Sequence, residues 1–371
     1  MSAKGFRLVE SDLLPLSLGA ALLGTGGGGN PYVGMLGVRE LMRKGASVEV
    51  LPLDALPGDA YVGSVGGIGA PVVSIEKLDQ GQEYLSALRA VEEAAGVKVS
   101  ALISSEIGGA NAMRPISTAA QAGLPVLDGD GMGRAFPEVQ MATYFIYGLE
   151  PSPAAIADDK GNVIVFKKVA DMYWLERFAR HAAVDMGARG GFALPPMEAS
   201  FVRRVAVPGT LTQALTIGRT ILDARAKRLD VVGRLLATTG ATLLFTGKVT
   251  DVRRELKGGF AMGEARLAGF GDHNGATGRI AIQNENLVLW IDGVAVAIVP
   301  DLIINVEFDT GEPITTEVLR YGQRLAVLGL PAHELMKSKA ALEVVGPKAF
   351  GYPDLDYRPL PYMAATHAQE P

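Results

Sequence analysis

Glu106-Ile-Gly-Gly-Ala-Asn111-Ala-Met-Arg-Pro-Ile116, followed by Leu124-Pro-Val-Leu-Asp128-Gly-Asp130-Gly-Met-Gly-Arg134-Ala-Phe-Pro-Glu138-Val-Gln140, is the stretch that decides how this chain reads. Two short apolar runs, Val97–Ile103 and Leu124–Leu127, each lead to carboxylates and then to glycine. An alanine-rich, helix-like segment separates them. This is the pattern of parallel strands whose carboxyl ends carry functional loops, the edge at which open α/β sheets bind ligands. The stretch is read as one wall of an active site.

Outward from it, strand, glycine and helix alternate. Glu10–Leu23 reads as a helix with a wide apolar face. Thr25-Gly-Gly-Gly-Gly29 follows, then Asn30 as N-cap and Pro31 as first residue of a helix reaching about Lys44. Val48–Leu53 and Asp59–Val65 read as strands, the second followed by a glycine loop at Gly66–Pro71. Gln80–Ala95 reads as a helix ending at Gly96. Beyond Tyr147, Asp158–Asn162 reads as a turn between strands, Ala170–Val184 as a helix, Gly187–Gly191 as a loop and Thr210–Leu229 as a long helix. From Ala241 the strands are closely spaced and Asp292-Gly293 is a hairpin signal. The expected architecture is an α/β N-terminal domain with a mostly parallel sheet, residues 1–167. A helix pair and a β-rich domain then occupy residues 168–371.

Composition narrows the function. With 371 residues, 48% hydrophobic and 20% charged, the chain builds a substantial core. A net charge of −5 without a basic block argues against nucleic acid. The absence of cysteine removes disulfides, thiolate metal sites and a cysteine nucleophile. No signal-peptide h-region or membrane-length apolar run is found, so a cytoplasmic protein with no membrane partner is expected. A homo-oligomer is expected only from the frequency of symmetric assemblies.

Candidate site residues follow from chemistry. Gly26, Gly27, Gly28 and Gly29 lie between two helices, where backbone N–H groups can hold an anionic or polar group. Neither a phosphate-binding lysine nor a preceding strand accompanies them. Glu106, Asp128 and Asp130 are the candidate acids and bases, since crowded buried carboxylates shift toward neutral pKa. A divalent metal bound by these carboxylates is the secondary reading. Arg134 can hold a substrate oxygen, and Asn111 and Glu138 complete the set. In the second half, His273 within Gly271–Gly275 and Glu285 within Gln283–Asn286 are polar residues among apolar strands. For each, ordinary turn chemistry is the competing explanation.

Leu23–Gly29, Glu106–Asn111, Asp128–Glu138, Pro300–Ile303 and Gly346–Tyr352 together resemble the S-methyl thiohydantoin desulfurase family, which is discussed alongside hydantoinase/oxoprolinase-type proteins. The resemblance spans nearly the whole chain in the same order. It implies two domains and a small heterocyclic substrate. The implied reaction is hydrolysis of a sulfur substituent from a hydantoin-like ring. Two other readings stand beside it: an ATP-dependent ring hydrolase and a non-catalytic heterocycle-binding protein.

Overall fold

The computed structural model describes residues 5–69, 80–257 and 260–360. The chain clusters into two compact units, Met1–Arg219 and Thr220–Pro371.

The first unit is built on a mixed sheet in the order β1-β2-β5-β4-β3-β8-β6-β7. Its centre is parallel: β2 (Glu49–Leu51), β5 (Val126–Asp130), β4 (Val99–Ser104) and β3 (Tyr61–Gly69). Antiparallel strands flank it: β1 (Phe6–Arg7), β6 (Ala154–Ala157), β7 (Val163–Phe166) and β8 (Arg189–Ala193). Two short strands, β9 (Met197–Glu198) and β10 (Val207–Pro208), pair with β3 and β5. Residues 189–208 therefore join the first sheet by pairings that no local periodicity reveals, and they lie in the first compact unit.

The helices follow their punctuation. α1 (Glu10–Leu23) and α2 (Pro31–Arg43) lie on either side of the four glycines, and the Asn30 side chain accepts from Tyr32 N–H at 2.9 Å. α3 (Glu83–Ala95) and α4 (Met113–Ala122) each stop at a left-handed glycine, Gly96 and Gly123. α5 (Thr143–Ile146), α6 (Met172–Asp185) and α7 (Ala199–Val205) come next. The long α8 (Thr210–Ala226) crosses α1 backbone to backbone. A Cβ on Gly19 would lie 1.9 Å from the Ala214 carbonyl oxygen, and one on Gly218 would lie 1.8 Å from that of Pro15.

Two glycine-rich segments expected to be loops are strands. Gly66–Gly69 continues β3 and pairs antiparallel with β8, which itself contains Gly190 and Gly191 of the expected 187–191 loop. Glycine is needed there for space. A Cβ on Gly67 would meet the Arg114 guanidinium at 2.5 Å, and one on Gly191 would meet the Glu83 backbone at 2.6 Å. The Ala70-Pro71 end of that expected loop lies outside the described residues.

In the second unit, α9 (Val231–Thr239) is capped by Asp230, whose carboxylate accepts from Gly233 N–H. Seven antiparallel strands follow, in the order β15-β14-β13-β12-β11-β17-β16 among the described residues. They are β11 (Thr242–Lys257), β12 (Phe260–Gly269), β13 (Thr277–Gln283), β14 (Glu285–Ile291), β15 (Val294–Ile298), β16 (Leu302–Glu307) and β17 (Arg324–Leu330). Phe245, Leu267, Ile280, Leu289, Ile303 and Val327 form the heart of its core. Asp292 and Gly293 turn the β14–β15 hairpin with φ of +47° and +85°, as a two-residue primed turn requires. The region Thr315–Leu319 is a turn, while α10 (Lys339–Val345) is a helix the sequence reading passed over.

Asp301 ties down the chain's last described segment. One carboxylate oxygen accepts from Ala332 N–H at 2.8 Å and Tyr357 O–H at 2.9 Å, and the other from Leu360 N–H at 2.7 Å. Asp301 is fully buried, so Asp301→Ala leaves three donors unmet. The expected loss is about 3 kcal/mol, checked by urea unfolding of the full chain.

Candidate active site

Glu106 and Asp130 meet at the carboxyl ends of the adjacent parallel strands β4 and β5. Asp130 ends β5, and its Oδ2 accepts from three backbone N–H groups: Ile107 at 2.8 Å, Met132 at 3.0 Å and Gly133 at 2.8 Å. The first is the residue after Glu106, so a single peptide links the two carboxyls. Asp130 Oδ1 is buried, with the Thr210 side chain beside the carboxyl. Glu106 Oε2 accepts from Phe136 N–H at 3.2 Å and Oε1 from the Asn111 amide. Nearby, the buried Tyr144 hydroxyl donates to the Ser104 carbonyl at 2.8 Å.

Electrostatics follow from this burial. Loss of water pushes the Glu106 carboxyl up to about 7, against the Asn111 and Phe136 bonds and the Arg114 charge, with Asp130 adding to the rise. Burial likewise pushes Asp130 up to about 7, although three amides favour its charged form. Unfolded carboxyls titrate near ~4. Between there and about 7 the folded protein holds protons that the unfolded chain has released. These groups stabilise the fold at low pH, and that contribution is lost as pH rises through about 7. The urea midpoint is expected to fall from pH 5 to pH 8, and to fall less in Asp130→Asn. An equal fall in both proteins contradicts the assignment.

Asn111 is the hub behind Glu106. Its Nδ2 donates to Glu106, and its Oδ1 accepts from Gly67 N–H at 2.8 Å and from Arg114. With both ends of its amide engaged, Asn111 holds the Glu106 carboxyl in place. Arg114 is the residue that reading missed. It lies three positions beyond Asn111 on the first turn of α4, is 8% exposed, and stands 5.4 Å from the Tyr84 ring centre. The i, i+3 spacing from Asn111 was the available signal.

The glycine loop reaches the same place. Gly28 accepts from Ala110 N–H at 2.9 Å. A Cβ on Gly28 would lie 2.4 Å from the Gly108 carbonyl oxygen, and one on Gly109 would lie 2.4 Å from the Gly28 carbonyl carbon. Loops 24–29 and 108–110 thus touch backbone to backbone. Gly26 and Gly27 are buried, while Gly28 and Gly29 are half-buried.

Arg134 is tied to the start of the glycine loop. It is fully buried, donates to Thr25 Oγ1 at 2.7 Å and to the Ala135 carbonyl at 3.0 Å, and lies over the Phe136 ring. It pins Thr25, whose φ of +52° begins the glycine loop. Asp128 is also taken elsewhere. Its carboxylate accepts from Leu211 and Thr212 N–H and from the Thr212 hydroxyl, capping α8. Glu138 lies two residues beyond Phe136 and bonds Gln140, and burial, then Glu176, raises its pKa.

His273 and Glu285 belong to the second unit. His273 stacks on Phe245 and bonds Thr246 across a loop turn, and Glu285 is buried in β14. Asn284 makes the tight turn before it with φ of +56° and pairs with Ala261. Among the described residues no group of three or more His, Cys, Asp or Glu could hold a metal ion. No helix among them is long and apolar enough to cross a membrane.

Comparison with known proteins places this architecture. The chain is similar to a protein of Chromobacterium violaceum known from a crystal structure: 26% identity, TM-score 0.79, covering 95% of this chain and 99% of that one. No curated protein matches it. Residues 11–168 match the model of the S-Me-THD-like N-terminal domain, and residues 170–360 match that of the C-terminal domain. The chain therefore belongs to the S-Me-THD-like family.

Proposed function

We propose that the protein is a hydrolase that removes the sulfur substituent from an S-methyl thiohydantoin. One observation carries this reading: two buried carboxyls, Glu106 and Asp130, joined through the Ile107 amide at the carboxyl ends of neighbouring parallel strands and both raised to about 7. Membership of the S-Me-THD-like family supports this choice of substrate class.

The C2 carbon of such a ring is an isothiourea carbon and is electrophilic. A water oxygen bonds to C2 while the Glu106 carboxylate takes its proton. The C2=N pair moves onto the ring nitrogen as the water adds; the tetrahedral centre then expels methanethiolate, which takes the proton held by Glu106, and the remaining hydroxyl proton passes to that ring nitrogen as C2 becomes a carbonyl. Water and S-methyl thiohydantoin give hydantoin and methanethiol. Burial holds that acid–base group near neutrality, and the neighbouring Asp130 adds to the rise. Arg114, beside Asn111, takes the role of substrate cation, since Arg134 is bonded to Thr25. The half-buried Gly28–Gly29 loop lines the same wall as the source of backbone donors.

The test is a panel of hydantoins and S-methyl thiohydantoins, incubated with and without Mg-ATP while thiol release and ring opening are followed. ATP-independent thiol release is expected. Ring opening that requires ATP, or binding without turnover, would replace the proposal by one of its rivals.

A further inference from the structure

Asp130 has two carboxyl oxygens, and the backbone holds one of them. Oδ2 accepts from Ile107, Met132 and Gly133 N–H. Oδ1 is buried too, and among the described residues no N–H bonds it. A buried carboxylate oxygen without a donor is costly. The hydrolysis mechanism gives this oxygen no part.

The start of α8 brings a hydroxyl to it. Val207 and Pro208 pair antiparallel with Asp130 and Gly129 of β5. Gly209 N–H donates to the Asp128 carbonyl at 2.9 Å. Leu211 and Thr212 N–H both donate to Asp128 Oδ1, at 2.9 and 3.1 Å. Thr210 lies between these anchors, so its backbone is fixed against the end of β5. It is 1% exposed, and its side chain stands beside the Asp130 carboxyl. Its Oγ1 is buried and, like Asp130 Oδ1, has no other hydrogen bond among the described residues.

A hydroxyl suits this place in both charge states. Backbone amides can only donate, so Oδ2, which takes three of them, does not carry the proton when Asp130 is neutral. The proton then sits on Oδ1. A threonine hydroxyl donates to that oxygen when Asp130 is charged and accepts from it when Asp130 is protonated. Two titratable groups also face Asp130: Glu106, one peptide away through Ile107, and Tyr144 of α5, whose hydroxyl is committed to the Ser104 carbonyl at 2.8 Å. Neither bonds Oδ1.

We infer that Thr210 is a positioning residue of the reaction: its hydroxyl holds Asp130 Oδ1 and fixes the oxygen on which the Asp130 proton resides. The inference rests on Glu106 and Asp130 being the hydrolytic pair. The Thr210 hydroxyl favours the charged form of Asp130, and that charge adds to the rise of Glu106. Thr210 thereby acts on Glu106 through Asp130, without touching substrate.

The test compares Thr210→Val, which keeps the shape without the hydroxyl, with Thr210→Ser, which keeps the hydroxyl, both in the full chain. Asp130 is followed by carbon NMR of protein labelled at the aspartate carboxyls, its signal assigned by its loss in Asp130→Asn. In Thr210→Val, Asp130 is expected to titrate about one pH unit higher, the scale of a hydrogen bond to a charged group. Thr210→Ser should titrate as the wild type does. The thiol-release limb should move to lower pH in Thr210→Val with KM unchanged, because a neutral Asp130 no longer raises Glu106. An Asp130 signal that does not move in Thr210→Val, or moves equally in Thr210→Ser, overturns the inference. So does a thiol-release limb that stays in place while the signal moves. The carbon signal needs no turnover: a protein that releases no thiol overturns the hydrolase reading, and the bond from Thr210 to Asp130 is still decided by the titration.

Discussion

Glu106→Gln is expected to lower kcat for thiol release by about 10²-fold or more, the scale of a lost acid–base group. The fold should survive, because glutamine keeps the shape and its amide oxygen can still accept from one of the two donors, Asn111 or Phe136. The pH profile sharpens the expectation. A base must be deprotonated to act, so the wild-type rate should rise as pH passes through about 7. Asp130 contributes to raising Glu106. Removing its charge in Asp130→Asn should move that limb to lower pH. A Glu106→Gln enzyme with near wild-type kcat, or an Asp130→Asn enzyme whose limb stays in place, would separate this pair from the chemistry.

Gly28→Ala is the second substitution with a large expected effect, and its first consequence is on stability. Gly28 has a φ of +74°, where an L side chain costs ~1 kcal/mol or more. Its Cβ would also lie 2.4 Å from the Gly108 carbonyl oxygen, a backbone atom that cannot swing aside. Overpacking of this kind costs about 1–3 kcal/mol, so a total near 3 kcal/mol is expected in urea unfolding. Separating the 24–29 and 108–110 loops also shifts Glu106 and Asn111, and a displacement of ~1 Å lowers rates by up to ~10². Gly29→Ala is the control. It shares φ of +74°, but its Cβ would meet nothing closer than Ala110 Cβ at 3.9 Å. Only the conformational cost of ~1 kcal/mol should remain. Equal losses in the two variants would mean that the loop contact is not what demands glycine at position 28.

Much of the fold was legible because its signals are local. The Asn30-Pro31 start of α2, the stop at Gly96 and the Asp292-Gly293 hairpin each depend on a few neighbouring residues, and each is where local chemistry puts it. The errors share a different origin. β8 reads as a loop because its glycines make room for distant residues, the Glu83 backbone and the Ile156 side chain, which no local window contains. Likewise β9 and β10 join the first sheet through partners more than 70 residues away.

The candidate site divides along the same line. Asp128 and Asp130 are two residues apart on one strand and look alike in sequence. They differ because the start of α8 lies over Asp128 and claims both its oxygens, whereas Asp130 is held by the loop amides at 107, 132 and 133. Arg134 is adjacent to glycines, as a substrate-binding arginine could be, yet its guanidinium turns inward to Thr25. Composition showed that the stretch was polar and glycine-rich. Only tertiary contacts decide which polar groups face one another.

The central claim is that water supplies the oxygen that replaces sulfur at C2 of an S-methyl thiohydantoin, and it is tested most directly by turnover in ¹⁸O-labelled water with mass analysis of the products. The account predicts stoichiometric methanethiol and a hydantoin carrying one label, at the C2 carbonyl. Unlabelled hydantoin, a ring-opened product, or no thiol at all would contradict it.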